Sequence, residues 1–205
     1  MEHPGDAIRK ILAENKSPKL PGLPTFTGGL VGYFAYDYIK YAEPTLKLEK
    51  GDEDSFQDVD LMLFDKVIAF DNFRQKIILI VNMKTDAPEQ EYYKAQMELD
   101  KLVNLICTGK PAPEQPLKLK GDFKPVFSEE AYCEMVEKGK QYIREGDIFQ
   151  VVLSNQLEAE MEGSLLDAYR VLRTSNPSPY MFYFSSDDIE IAGASPETLV
   201  KLEDG

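Results

Sequence analysis

Apolar positions recur along this chain at several spacings, and each spacing predicts an element. Within residues 6–15, Ala7, Ile8, Ile11 and Leu12 fall at helical intervals, so a short amphipathic helix is expected. Ser17-Pro18 and Pro21-Gly22-Leu23-Pro24 end it. Residues 26–37 form a glycine-dense aromatic strand pattern. Their Gly28-Gly29-x-x-Gly32 spacing departs from the dinucleotide fingerprint, so these glycines are read as sites of close backbone approach. After an acidic, loop-like stretch at 45–58, residues 61–70 and 76–83 read as two arms of a hairpin turning through Asp71-Asn72-Phe73-Arg74. Pro88 can open a helix running to about Cys107, with Ala95, Leu99, Leu102, Val103 and Ile106 on one face.

The periodicity then lapses. Residues 109–125 contain four prolines and several lysines, which reads as a linker between a first domain at 1–108 and a second at 126–205. Ser128 is an expected N-cap, with Glu129 and Glu130 in the first turn, and Tyr132, Met135, Val136 and Ile143 mark a stripe ending at Gly146. Residues 148–154 read as a strand. Ser164-x-x-Asp167 opens another helix by capping-box logic, and Asn176-Pro177-Ser178-Pro179 stops it. Residues 180–185 and 189–192 are expected to pair across Ser186-Asp187-Asp188, and 198–202 to begin a further strand. The closing Asp204-Gly205 is a turn signal with no return strand, so a truncated chain is expected.

Composition narrows the function classes. A chain of 205 residues, 43% apolar and 29% charged, has ordinary globular composition. Its net charge of −13 argues against nucleic acid and against anionic membrane, because both are bound largely through Lys and Arg. No apolar run approaches bilayer length and no signal-peptide core is present, so a cytoplasmic location is expected. Cys107 and Cys133 read as reduced, packed thiols. The single histidine, His3, in an expected frayed terminus, supports neither a His-based metal site nor a triad.

Three ordered motifs carry the candidate chemistry: Gly146-Asp147-Ile148-Phe149-Gln150-Val151-Val152-Leu153-Ser154, Asn176-Pro177-Ser178-Pro179-Tyr180-Met181-Phe182, and Gly193-Ala194-Ser195-Pro196-Glu197-Thr198-Leu199. They resemble the chorismate-utilising enzyme family, and within it the large subunit, component I, of anthranilate synthase. The 26–37 segment and the strand at 58–70 resemble that subunit's N-terminal region.

The resemblance implies an α+β fold of antiparallel sheets packed face to face with surrounding helices. It implies conversion of chorismate and ammonia to anthranilate and pyruvate with Mg²⁺, the ammonia coming from a glutamine amidotransferase partner, component II, and feedback inhibition by tryptophan. Glu197 matches a general acid for the departing C4 hydroxyl, a role that burial would favour by raising its pKa. On the residues alone, a local cap or pair after Pro196 remains open.

Gln150 stands where relatives that add water carry a lysine. An amide cannot activate water, whereas ammonia brings its own lone pair, so the substitution leans toward amination; an outward-facing strand residue is the other reading. The resemblance places Gly193 and Ser195 in the substrate site and Pro179, Tyr180 and Met181 in the tryptophan site, with Tyr180 and Met181 as core residues the alternative. It places the rest of the inhibitor site upstream of Met1, and the Mg²⁺ ligands and a catalytic histidine beyond Gly205, so the chain alone is expected to be inactive. The alternatives are aminodeoxychorismate synthase, which also aminates chorismate, and a non-catalytic module binding tryptophan or a partner.

Overall fold

The computed structural model describes residues 3–43, 45–46, 56–113 and 115–202. The chain divides into two compact units, Met1–Pro111 and Ala112–Gly205, each made of helices and antiparallel strand pairs. The α+β expectation holds. No helix among the described residues is long and apolar enough to cross a membrane.

In the first unit, α1 spans Pro4–Glu14. His3 is its N-cap rather than a frayed end. Its Nδ1 accepts from the Gly5 amide at 3.0 Å, which leaves Nε2 to carry the proton and donate to the Tyr41 carbonyl at 3.2 Å. A short 3₁₀ turn, Tyr36–Tyr38, runs into α2, Ile39–Ala42. The Lys40 ammonium at 2.6 Å and the Tyr41 hydroxyl at 2.8 Å converge on Asp58 and hold its carboxyl below the usual carboxylate range. Most of the acidic 45–58 stretch lies outside the described residues.

The strand expected over 61–70 is two strands. β2, Val59–Phe64, pairs with β1, Gly29–Phe34, whereas β3, Lys66–Asp71, pairs with β4, Lys76–Val81. The break falls at Asp65, whose carbonyl accepts from both the Asn82 backbone amide and its side-chain nitrogen. That same side chain donates to the Thr27 carbonyl at 2.7 Å. A Cβ at Gly32 would strike the Asp60 carbonyl oxygen, so only glycine allows β1 and β2 to lie this close.

In the β3–β4 turn, Asp71 accepts from the Arg74 amide and guanidinium, and these bonds pull its carboxyl downward. Gln75 takes the left-handed position at φ 54°. α3, Pro88–Thr108, packs on β4, and Lys66 and Lys101 both pair with Glu98. Val103 and Ile106, expected on its inner face, are 45% and 42% exposed.

The 109–125 stretch, which enters the second unit at Ala112, is not all linker. It carries β5, Lys118–Leu119, and β6, Lys124–Pro125. These pair with β8, Met161–Glu162, and β7, Leu157–Glu158, respectively. α4, Glu129–Glu145, begins and ends as its sequence directs. The Ser128 hydroxyl accepts from the Ala131 amide, and Gly146 closes the helix at φ 85°.

The strand expected over 148–154 does not form. The segment packs along α4 without regular structure instead, with the Tyr132 hydroxyl donating to the Leu153 carbonyl at 3.0 Å. A Cβ at Gly139, the one buried residue among those described, would sit 3.1 Å from the Val151 side chain. Val151 and Leu153 are turned to the helix while Phe149 and Val152 stay exposed, and the segment's backbone finds no strand partner among the described residues.

α5, Leu166–Ser175, is followed by β9, Tyr180–Ser185, and β10, Glu190–Ser195, which pair in the expected hairpin. Residues 198–202 form no strand. Leu199 is 99% exposed, and the Asp204-Gly205 turn lies outside the described residues.

Candidate functional site

The β9–β10 hairpin gathers most of the candidate residues. Its register sets Tyr180 opposite Ser195, Met181 opposite Ala194 and Phe182 opposite Gly193. Opposed residues share a face and neighbours along a strand alternate, so Tyr180, Phe182, Gly193 and Ser195 share one face while Met181 and Tyr183 share the other. Helix α5 marks the second face. Its Tyr169 ring lies 5.8 Å from the Tyr183 ring, centroid to centroid. The three residues grouped as an effector site therefore divide: Met181 belongs with the α5 face and Tyr180 with the face of Ser195.

The face turned away from α5 is aromatic at one strand and small at the other. Tyr180 and Phe182 are 46% and 47% exposed. Across from them, Gly193 has no side chain, and a Cβ there would meet the Phe182 ring, with Cε1 at 2.9 Å and Cε2 at 3.0 Å. The ring lies over the Gly193 backbone. Such a surface, flat and apolar beside the Ser195 hydroxyl, suits a ring-shaped ligand carrying polar substituents.

Beyond β10, the Ser195 hydroxyl donates to the Glu197 backbone carbonyl at 3.0 Å and folds Ser195-Pro196-Glu197 into a local turn. The Glu197 side chain is exposed, so these residues do not bury it. Gln150 is likewise exposed, on the irregular segment that follows α4, and in no strand. Hairpin and loop thus bring Pro179, Tyr180, Met181, Gly193 and Ser195 close in register, while Glu197 and Gln150 stand on segments outside it.

Two residues that the sequence reading did not single out organise this region. The Ser178 hydroxyl lies 3.2 Å from the Tyr180 carbonyl and 3.4 Å from the Met181 sulfur, tying the proline loop to the first turns of β9. Glu190 gathers three donors: the Leu165 amide at 2.6 Å, the Tyr183 hydroxyl at 2.7 Å and the Ser164 hydroxyl at 3.0 Å. Those bonds, the amide's foremost, hold its carboxyl below the usual range. The expected capping box is partly replaced: Ser164 accepts from the Leu166 amide at 3.1 Å, and the carboxylate comes from β10 instead of Asp167. The β-strand alternation that puts Glu190 on the α5 face is the signal that could have found it.

Among the described residues, no three His, Cys, Asp or Glu side chains converge where they could hold a metal ion.

Comparisons with known proteins converge on one description. Residues 3–205 match the family of chorismate binding enzymes. The anthranilate synthase component 1 of Acinetobacter calcoaceticus is 40% identical over 98% of this chain, and a probable component 1 from Schizosaccharomyces pombe is 38% identical over 97%. In both cases the match takes in 42% of the relative, so this chain spans about two fifths of the length of such relatives. Among solved structures, the crystal structure of anthranilate synthase component I from Streptococcus pneumoniae TIGR4 superposes on all of this chain with a TM-score of 0.77 and 31% identity, over 46% of its own length.

Proposed function

Because this chain belongs to the chorismate binding enzyme family, we propose that it serves as part of an anthranilate synthase component I. The observation that carries the reading is the match along nearly the whole chain to relatives of that name, at up to 40% identity in Acinetobacter calcoaceticus. The reaction is chorismate plus ammonia to anthranilate, pyruvate and water, in the synthesis of tryptophan. Glutamine would supply the ammonia through an amidotransferase subunit, component II, and the enzyme would work in the cytoplasm.

Within that reaction the hairpin face of Gly193 and Ser195 would hold the chorismate ring against Phe182 and Tyr180. Glu197 would donate the proton with which the C4 hydroxyl leaves as water, and Gln150 would leave the attacking nitrogen's lone pair unopposed by a charge. The described residues do not fit Mg²⁺, because no three His, Cys, Asp or Glu side chains converge among them, and its ligands would lie outside them. Inhibition by tryptophan would act through Pro179, Tyr180 and Met181, Tyr180 reaching it from the opposite face of the hairpin to Met181.

The test is a chimera in which residues 3–205 replace the matching part of the pneumococcal component I, supplied with chorismate, Mg²⁺ and excess ammonium. Anthranilate fluorescence rising in proportion to chimera is expected, and Glu197→Gln should abolish most of it without unfolding the protein. Accumulation of aminodeoxychorismate without anthranilate would transfer the assignment to that sibling enzyme. A folded chimera that consumes no chorismate would overturn the reading.

A further inference from the structure

We infer that Glu190 is a positioning residue for the chorismate-facing hairpin, acting as a clamp that fixes α5 along β9 and β10. The inference rests on the reading that this hairpin contacts chorismate. Glu190 lies on β10 at the end nearest the hairpin turn, opposite Ser185, while Tyr180 and Ser195 lie at the other end. α5 runs alongside with its first residues at the Glu190 end. Its last residues lead through Asn176-Pro177-Ser178-Pro179 directly into Tyr180. One carboxylate therefore pins the far end of a helix whose near end delivers the chain to the candidate ligand face.

The pin is well made for that purpose. Oε2 accepts from the Leu165 amide at the helix N-terminus, where the dipole favours negative charge, and Oε1 accepts from Tyr183 and Ser164. α5 has no capping side chain at its own N-cap residue, Leu165. The groups around the carboxylate are the Ser164 and Tyr183 hydroxyls, the Leu165 amide and the Tyr169 ring behind Tyr183; Asp167 and Arg170, the nearest charges on α5, pair with each other at 3.4 Å. Glu190 touches no candidate ligand residue itself, so its influence must pass through the placement of α5 and the proline loop.

Glu190→Gln keeps the shape and removes one acceptor oxygen, leaving an NH₂ group facing a donor. Amide exchange in this chain should then quicken at Leu165 and Leu166 while the hairpin amides stay protected. In the chimera described above, the KM for chorismate should rise about tenfold with kcat changed by less than about twofold, the loss of one charge-assisted hydrogen bond's worth of positioning. Tyr183→Phe, which removes one of three donors, should raise KM by less than Glu190→Gln.

Unchanged exchange at Leu165 and Leu166 would overturn the clamp. Faster exchange with an unchanged KM would reduce Glu190 to a helix cap and overturn the positioning role. If the parent chimera binds chorismate but forms no anthranilate, the proposed activity fails. Calorimetric affinity for chorismate then replaces KM, equal affinities of parent and Glu190→Gln overturning the inference. A parent that binds no chorismate overturns both.

Discussion

Replacing Gly193 by alanine should destabilise the hairpin through one identifiable collision. An added methyl would meet the end of the Phe182 ring, with Cε1 and Cε2 at 2.9 and 3.0 Å and Cζ closer still, whereas ordinary contact begins near 3.4 Å. The ring must retreat by roughly half an ångström or more. It can do so, because the obstructing atoms end a side chain that is 47% exposed. The backbone need not move.

The cost is then an off-rotamer ring, about 0.5–1.5 kcal/mol, together with lost cover over the Gly193 backbone. A total of about 1–2 kcal/mol sits at the lower end of overpacking penalties. In a unit of this size that corresponds to roughly 5–10 °C in Tm, measurable by thermal circular dichroism on the second unit's transition. The decisive comparison is a double-mutant cycle. If the ring is the obstacle, Phe182→Ala with Gly193→Ala should melt no lower than Phe182→Ala alone. Strictly additive losses would refute the collision, and with it the placement of Phe182 over Gly193.

Gly32→Ala should cost more, about 2–4 kcal/mol, because its methyl meets the Asp60 carbonyl and the strands must part at the expense of ladder bonds; Gly121→Ala, with nothing within 4 Å, is the neutral control in the same melts. Asp58 has a depressed pKa from Lys40 and Tyr41, so its stabilisation is complete above its unfolded pKa and is lost as pH falls through the lower folded value. Acid melts of the parent and Asp58→Asn should therefore differ near neutrality and converge at low pH, and a constant offset would count against the ion pair. Lys101 and Lys66 draw Glu98 down to about 2, and Lys101→Met should move its carboxyl midpoint upward in an NMR titration. In the chimera, Met181→Thr should relax tryptophan inhibition more than it lowers kcat, and an unshifted inhibition curve would remove Met181 from that site.

Features written in neighbouring residues were legible without coordinates. Ser128 and Gly146 bound α4, Pro88 opens α3, and the alternation of 180–195 gives the last hairpin, each through chemistry acting within a few positions. The motifs around Pro179 and Gly193 also led to the right family. What escaped depends on distant partners. The 148–154 segment has strand-like composition, yet α4 claims Val151 and Leu153 and no strand among the described residues claims its backbone. The break at Asp65 is made by Asn82, and the start of α5 by Glu190, 25 residues away. Tyr180 and Met181 look like one group in a motif, but a two-residue repeat sends them to opposite faces. Glu197 matched by motif, while the burial its proposed role would require is a property of packing that no local pattern encodes.

The borrowed cap of α5 also bears on the order of events as the chain folds. Ten residues make a helix too short to persist alone in water, and the acceptor for its Leu165 amide arrives only when β10 has been laid beside β9. Closing that 25-residue loop comes at an entropic cost before the helix gains anything. α5 is therefore expected to consolidate after the hairpin, on the native side of the rate-limiting barrier, so that weakening Glu190 hastens unfolding and leaves the rate of folding nearly untouched.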